Sequence, residues 1–457
     1  MRPRRPINAD VPAPPQEARE EEAHEEVAPV IEEEAREERP ASAAEKPPRV
    51  PKPLAPKLLA SLVVLAIVFI VVAILGSSGG SKQGETSAPA PSPTPAGEAD
   101  GGGETPSQTA EALGYPAFAT DNTTRVGGAD ANANAAAVAL AVFPSTTPSQ
   151  RPAAVTLVGE EDWAGAIAAA VLMAPGVRAP LLFSAPDEQP EATAQALAAL
   201  DPQGSPKTGG AAVFAVGAVT LPDEAAKATR IDSGDPASTA AQIATLRDRL
   251  FGGAPRAIVV ASGSQPEFAM PAAAWAARSG DPVLYSEADK LPQPTAAALE
   301  RHPGVPVYVL GPAAAISAAV VGEIGAISKR VQRVGGADPV ANALAFARFG
   351  DGNFGWNVND PGHGFVLARS DAPLQAAAAA PLSAAGTWGP LLLTDDPGRL
   401  PANVRDYFLD VKPGYTDNPS RAFYNHVWVV GDQEAIDVNQ QAEVNELVEL
   451  AKIGGGE

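Results

Sequence analysis

From residue 120 onward, short apolar runs alternate with alanine-rich stretches, and the whole alternation occurs three times. The first run of each round is Val155-Thr156-Leu157-Val158, Ile258-Val259-Val260-Ala261 or Phe365-Val366-Leu367-Ala368. The second is Pro180-Leu181-Leu182-Phe183-Ser184, Pro282-Val283-Leu284-Tyr285-Ser286 or Pro390-Leu391-Leu392-Leu393-Thr394. The third is Val213-Phe214-Ala215-Val216-Gly217, Val307-Tyr308-Val309-Leu310-Gly311 or Val427-Trp428-Val429-Val430-Gly431. Runs of this length without polar alternation, separated by helical segments, predict parallel strands covered on both faces. Helices are expected after the first runs, around Ala166–Leu172, Pro271–Ala277 and Ala376–Leu382.

Each round is preceded by a recurring motif. Thr124-Arg125-Val126-Gly127-Gly128-Ala129-Asp130 returns as Thr229-Arg230-Ile231-Asp232-Ser233-Gly234-Asp235 and as Gln332-Arg333-Val334-Gly335-Gly336-Ala337-Asp338. Its arginines stand 105 and then 103 residues apart, a period too long for a solenoid, so each copy is a small domain. Asp235-Pro236 and Asp338-Pro339 read as an N-cap followed by a proline at the first helical position. The arginines, each five residues ahead of its aspartate, are expected to hydrogen-bond a turn or a neighbouring unit. Arg125, Asp130, Arg230, Asp235, Arg333 and Asp338 are therefore assigned structural roles. The fold expected is α/β, as three tandem three-layer parallel-sheet (Rossmann/Toprim-like) repeats in a pseudo-threefold arrangement. Their boundaries are 113–228, 229–331 and 332–457.

Ahead of the repeats, Leu58 to Leu75 is an apolar run broken only by Ser61. At about 1.5 Å per residue it matches a bilayer core of about 30 Å and reads as one N-terminal transmembrane helix, a retained signal anchor. Lys46, Arg49, Lys52 and Lys57 precede it, whereas only Lys82 follows closely. The positive-inside rule then puts residues 1–57 in the cytoplasm and the repeats outside the cell. Residues 1–57, with Glu20-Glu21-Glu22 and Glu32-Glu33-Glu34 among prolines, read as a disordered acidic tail. Residues 76–112, rich in Gly, Ser and Pro, read as a linker.

Charge and composition narrow the partners. The chain of 457 residues has a formal charge of −21, of which residues 113–457 carry −14. That balance repels phosphate backbones and excludes nonspecific nucleic-acid binding. Cysteine is absent from the sequence, which removes disulfides and thiolate chemistry. The four histidines, His24, His302, His363 and His426, lack metal-ligand spacing, and neither a Gly-x-Ser-x-Gly elbow nor a P-loop occurs. No metal and no cofactor are expected. Glu160-Glu161-Asp162 and Asp395-Asp396 read as solvated loop charge.

The ordered set of motifs over about residues 120–452 resembles the bacterial cell-wall-binding repeat family, type 2, of Gram-positive surface proteins. That family opens a unit with Arg-x-x-Gly-x-Asp-Arg-Tyr-x-Thr-Ala. It continues through an Ala-Ser-Gly strand end, Phe-Pro-Asp-Ala-Leu, an Ala-rich helix, Gly-x-Pro-Ile-Leu-Leu-Thr and Val-Tyr-Ile-Leu-Gly-Gly. Here the Arg-Tyr pair is replaced by Ala131-Asn132, Pro236-Ala237 and Pro339-Val340, and the Asp of Phe-Pro-Asp by Gly165, Phe268 and Gln375. The resemblance implies a noncatalytic surface protein whose repeats bind a cell-wall glycopolymer; the apolar run Leu58–Leu75 adds the expectation that it is held to the membrane. Two alternatives stay open: a protein–protein scaffold of the envelope, which the acidic tail favours, and a hydrolase.

Open parallel sheets bind ligands beyond the carboxyl ends of their strands. Trp163, Ser262, Ser264, Gln265, Arg369 and Ser370 follow the first strands and are the candidate ligand contacts, hydroxyls and amides beside an aromatic plane. Ser184, Ser286 and Thr394 end the second strands. Trp275 and Trp428 are expected in the core, and Trp356 lies in a Gly/Asn-rich insertion, Gly350–Gly364, that reads as an interaction loop.

Overall fold

The computed structural model describes residues 118–222, 227–232, 234–386 and 388–453. The expected tail, the span Leu58–Leu75 and the 76–112 linker lie outside the described residues. No helix among the described residues is long and apolar enough to cross a membrane.

Strands β1 (Phe118–Ala119) and β2 (Thr123–Val126) open the described chain. Next come β3 (Val155–Gly159), β4 (Leu181–Ser184), β5 (Val213–Val216) and β6 (Ala228–Ile231). They are followed by β7 (Ile258–Ser262), β8 (Val283–Ser286), β9 (Val307–Leu310) and β10 (Val331–Val334). The last set is β11 (Gly364–Arg369), β12 (Leu391–Thr394), β13 (Gly414–Tyr415), β14 (His426–Val430) and β15 (Ala451–Lys452). Module 1 is the parallel sheet β4-β3-β5-β6, and module 2 is β8-β7-β9-β10. Module 3 is β12-β11-β14-β2, with β1 added antiparallel at its edge. The apolar runs become the central strands, and Val155, Leu157, Val260, Phe365 and Val429 are fully or almost fully buried, as two-sided cover requires.

The recurring motif does not begin its own sheet. Its strand completes the preceding one: β6 pairs with β5, β10 pairs with β9, and β2 pairs with β14 at the far end of the chain. The boundaries 113–228, 229–331 and 332–457 are therefore offset by one strand from the sheets. After that strand the chain turns into an opening helix, Ala131–Val142, Pro236–Phe251 or Pro339–Arg348. The motif aspartates cap these helices, accepting from Ala133 N (2.8 Å), Ser238 N (3.0 Å) and Ala341 N (2.8 Å). Each opening helix then packs along β4, β8 or β12, covering the outer edge strand of the next sheet. One motif thus links two modules.

Gly127 takes φ +137°, and a Cβ there would collide with Asn134 Oδ1. The buried Asn134 fastens the turn by donating to Gly128 O (3.0 Å) and Asp130 O (2.6 Å). The Gly-Gly pair is a packing device, since only glycine lets the backbone pass the asparagine.

A helical centre joins the modules. The helices after the first strands are Trp163–Ala169, Pro266–Ser279, and Pro373–Ala378 with Ala380–Ala384; they pack on one another. Ala166, Ala168, Ala272, Ala273, Ala276 and Ala377 are fully buried there. Alanine suits this position because small side chains let three helices approach closely.

The closing strand is fixed by Arg125, which is 1% exposed. Its Nε donates to Gln441 Oε1 (3.0 Å), Nη1 to Gly431 O (2.9 Å) and Asp432 O (2.6 Å), and Nη2 to Ile436 O (2.6 Å). Burial pushes its pKa down, opposed by the carboxylates of Asp432 and Asp437. Arg333 repeats the arrangement with Gly311 O (2.8 Å) and Ile316 O (2.6 Å), whereas Arg230 is exposed. Replacing Arg125 by alanine leaves several buried carbonyls unpaired and is expected to cost about 2–4 kcal/mol of stability. Arg230→Ala should change stability by less than about 0.5 kcal/mol. Denaturant unfolding of the two variants side by side checks this; equal losses would contradict it.

Candidate functional site

At the carboxyl ends of the strands, the sequence-expected contacts are engaged in internal bonding. Trp163 begins its central helix and meets Tyr285 of module 2 edge-on, with ring centroids 5.8 Å apart. Tyr285 in turn donates its hydroxyl to Ala164 O at 2.8 Å, so the pair fastens the seam between modules 1 and 2. Ser262 is buried, and its Oγ accepts from Ser264 N (3.3 Å) and Gln265 N (3.1 Å), shaping the entry to the next helix. Ser264 is exposed and Gln265 half-buried. Arg369 makes a two-pronged bond to Asp371 (3.1 and 2.8 Å), and Ser370 N donates to Thr394 O (2.9 Å). The strand-end hydroxyls of Ser184, Ser286 and Thr394 donate to loop carbonyls.

These residues stay in separate groups, Ser262 with Ser264 and Gln265, and Arg369 with Ser370. The same ends carry Glu160, Glu161, Asp162, Asp371, Asp395 and Asp396. Burial raises the Asp162 pKa, offset by its bond from Gly165 N, while Asp371 is lowered by Arg369. Among the described residues no group of His, Asp and Glu could hold a metal ion. His302 pairs with Asp248 (2.7 Å) and His363 with Asp360 (3.3 Å), while burial lowers the pKa of His426. This end of the molecule is acidic and self-bonded.

The amino ends of the strands differ. There a cleft of about 440 Å³ is lined by Phe251, Arg256, Trp275, Arg278, Trp356 and Trp388, among others. Arg278 sits in the last turn of its central helix, where the helix dipole favours a cation. Its guanidinium lies 4.3 Å from the ring centroid of Trp388, which is 38% exposed. Arg256 is exposed on the segment leading into β7. Among the described residues neither arginine joins an ion pair.

The wall of this cleft is the Gly350–Gly364 insertion. Instead of standing free as a loop, it buries Phe354 and Trp356. Trp356 meets Trp275 with centroids 5.4 Å apart, and Phe354 stacks on Tyr308 of module 2 at 3.6 Å. Trp275 is core, as expected; its Nε1 donates to the buried Asp281 (3.0 Å), which also accepts from Ala257 N (3.1 Å). A smaller cleft of about 340 Å³ lies at the same end of module 1, lined by Phe143, Arg151, Gly176, Arg178 and Lys207 among others. There Arg178 lies 5.2 Å from the Phe143 ring centroid.

Sequence reasoning did not single out Trp388, Arg278 or Arg256. A signal was present: Trp388 is followed by Gly-Pro immediately before a strand, a position with no helix or sheet face to bury an indole. Chemically, an indole plane beside guanidinium groups can stack on a sugar ring while pairing with its oxyanions. The lining of this cleft carries one hydroxyl, Ser279, and no carboxylate or imidazole.

The Tyr308 hydroxyl donates to Asp351 at 2.8 Å, and Arg330 also pairs with that carboxylate. Burial and this bond push the Tyr308 pKa up to about 12. A raised phenol pKa contributes stability that is complete below the ordinary value of about 10. That contribution is lost as pH rises through about 12. Tyr308→Phe should remove one late-ionising tyrosine from an alkaline absorbance titration and flatten the loss of stability above pH about 10. An unchanged titration would contradict the assignment.

Residues 230–331 match the family model described as Cell wall binding domain 2 (CWB2), so the second copy carries the resemblance read from the sequence. No curated protein matches the chain. Among solved structures, Cwp6 from Clostridium difficile is similar at 21% identity and TM-score 0.58, covering 72% of this chain and 48% of that one. Cwp8 from Clostridium difficile is similar at 18% identity and TM-score 0.53, covering 72% and 52%. The chain spans about half the length of these structures, and at such identities the likeness is one of fold.

Proposed function

We propose that this chain is a noncatalytic extracytoplasmic protein, anchored by Leu58–Leu75, whose three modules bind an anionic cell-envelope polysaccharide. The carrying observation is the cleft in which Arg278 stacks on Trp388 with Arg256 close by. A domain at −14 is a poor partner for a polyanion when its charge is averaged. The average conceals the arrangement, with carboxylates gathered at the strand carboxyl ends and unpaired arginines at the opposite end. The match of residues 230–331 to a cell-wall-binding model supports the same reading. On it, Trp163, Ser262, Ser264, Gln265, Arg369 and Ser370 stabilise the modules, and the ligand contacts lie among Arg256, Arg278 and Trp388.

A second reading, docking of an envelope protein, has one observation in its favour. Phe423 and Tyr424 of module 3 are 70% and 54% exposed. Crosslinking at these positions in cells, followed by identification of the attached protein, tests it.

The leading reading is tested by cosedimentation of the purified full chain with isolated sacculi. Arg278→Ala and Trp388→Ala should each weaken binding about tenfold, equivalent to about 1.4 kcal/mol. Binding should also fall as salt rises from about 0.05 to about 0.5 M, because exposed charges are screened. Retention unaffected by both substitutions and by salt would overturn the proposal.

A further inference from the structure

Granted the polysaccharide reading above, one cleft need not act alone. The two clefts at the strand amino ends are built from the same parts of successive modules. Each has an aromatic ring at the end of the opening helix, Phe143 or Phe251, and an arginine leading into the first strand, Arg151 or Arg256. The smaller cleft is completed by Gly176 to Arg178, on the loop after the module 1 central helix, and the larger by Arg278, in the last turn of the module 2 central helix. The clefts adjoin through one loop: Pro175 lines the larger, and Gly176, Val177 and Arg178 line the smaller.

Arg178 has a peculiarity that packing does not require. It takes φ +56°, a left-handed conformation unfavourable for any residue bearing a Cβ. Arg178 stands two residues before Pro180; the counterpart two before Pro282 is Gly280, which takes φ +79°. Module 1 thus holds an arginine where module 2 uses the residue suited to the turn. Its guanidinium lies over Phe143, as that of Arg278 lies over Trp388. Strain held by a charged side chain at the rim of a cleft marks a site under a constraint other than folding.

We infer that the two clefts form one continuous track for a glycan chain bearing repeated oxyanions, with Arg278 on Trp388 and Arg178 on Phe143 as successive contact points. The anions are phosphodiester or carboxylate groups, which the guanidinium recognises alike. Two weak contacts on one polymer act together through effective concentration, so loss of either weakens retention on the whole wall.

The test uses the full chain with Arg178→Gly, which gives module 1 the residue of module 2, and with Arg178→Asn, which tolerates the left-handed turn without the charge. Both variants should melt within a few degrees of the parent and bind sacculi about tenfold more weakly. Combining either with Arg278→Ala should reduce binding beyond each single change. Arg178 variants that bind like the parent, while Arg278→Ala does not, overturn the track and leave the single cleft standing. Loss of binding that merely follows a lowered melting temperature in both variants also overturns it. If Arg278→Ala has no effect either, the polysaccharide reading falls as well. Sacculi stripped of phosphodiester-linked polymer by hydrofluoric acid separate the anion sources. Binding lost on stripping assigns phosphate, and binding retained assigns carboxylate.

Discussion

The structure depends on a strand placed out of sequence. Thr123–Val126 lies beside Val427–Val430, and Arg125 holds it there by reaching into the turn after that strand. Gln441 couples both sides, accepting from Arg125 Nε and donating to Thr123 Oγ1 (2.9 Å). Asn445 adds a second fastening, accepting from Thr120 Oγ1 (2.7 Å) and Asn122 N (3.0 Å). The same relation, a motif strand given to the preceding sheet, recurs at the other two junctions. Three open arrays thereby become one closed set of modules.

Closure determines where chemistry can occur. The central helices start at the strand carboxyl ends and finish at the amino ends, so their dipoles set the same preference in all modules. At their starts stand side chains that cap and brace, including Asp162 and Ser262. At their ends, loops of unequal length leave clefts. The Gly350–Gly364 insertion fills space at the seam between modules 2 and 3 and turns an irregular gap into a walled one. Arginine beside aromatic rings there gives an otherwise acidic body a basic, aromatic cleft.

Much of the architecture was legible in the residues. Apolar runs of constant length marked the central strands, and Asp-Pro pairs marked two helix starts, because both signals are local. The partner of each motif strand was not legible. A four-residue strand such as Ala228–Ile231 carries no label for the sheet it joins, and pairing is settled by tertiary contacts. The surroundings of the candidate aromatic residues were not legible for a related reason. Trp163 looks like a free platform in sequence, yet Tyr285, more than a hundred residues away, packs against it at a steep angle. Trp356 likewise looks exposed among glycines and asparagines, and Trp275 buries it.

The borrowed strand also imposes an order of events. Residues near 123 are translated about 300 residues before residue 430, and their place in the third sheet does not exist until that residue has followed. Until then β2 is an unsatisfied edge, and a nascent or clipped chain that lacks its final part cannot bury it. Completion of the last sheet therefore distinguishes whole molecules from fragments by the state of one short segment.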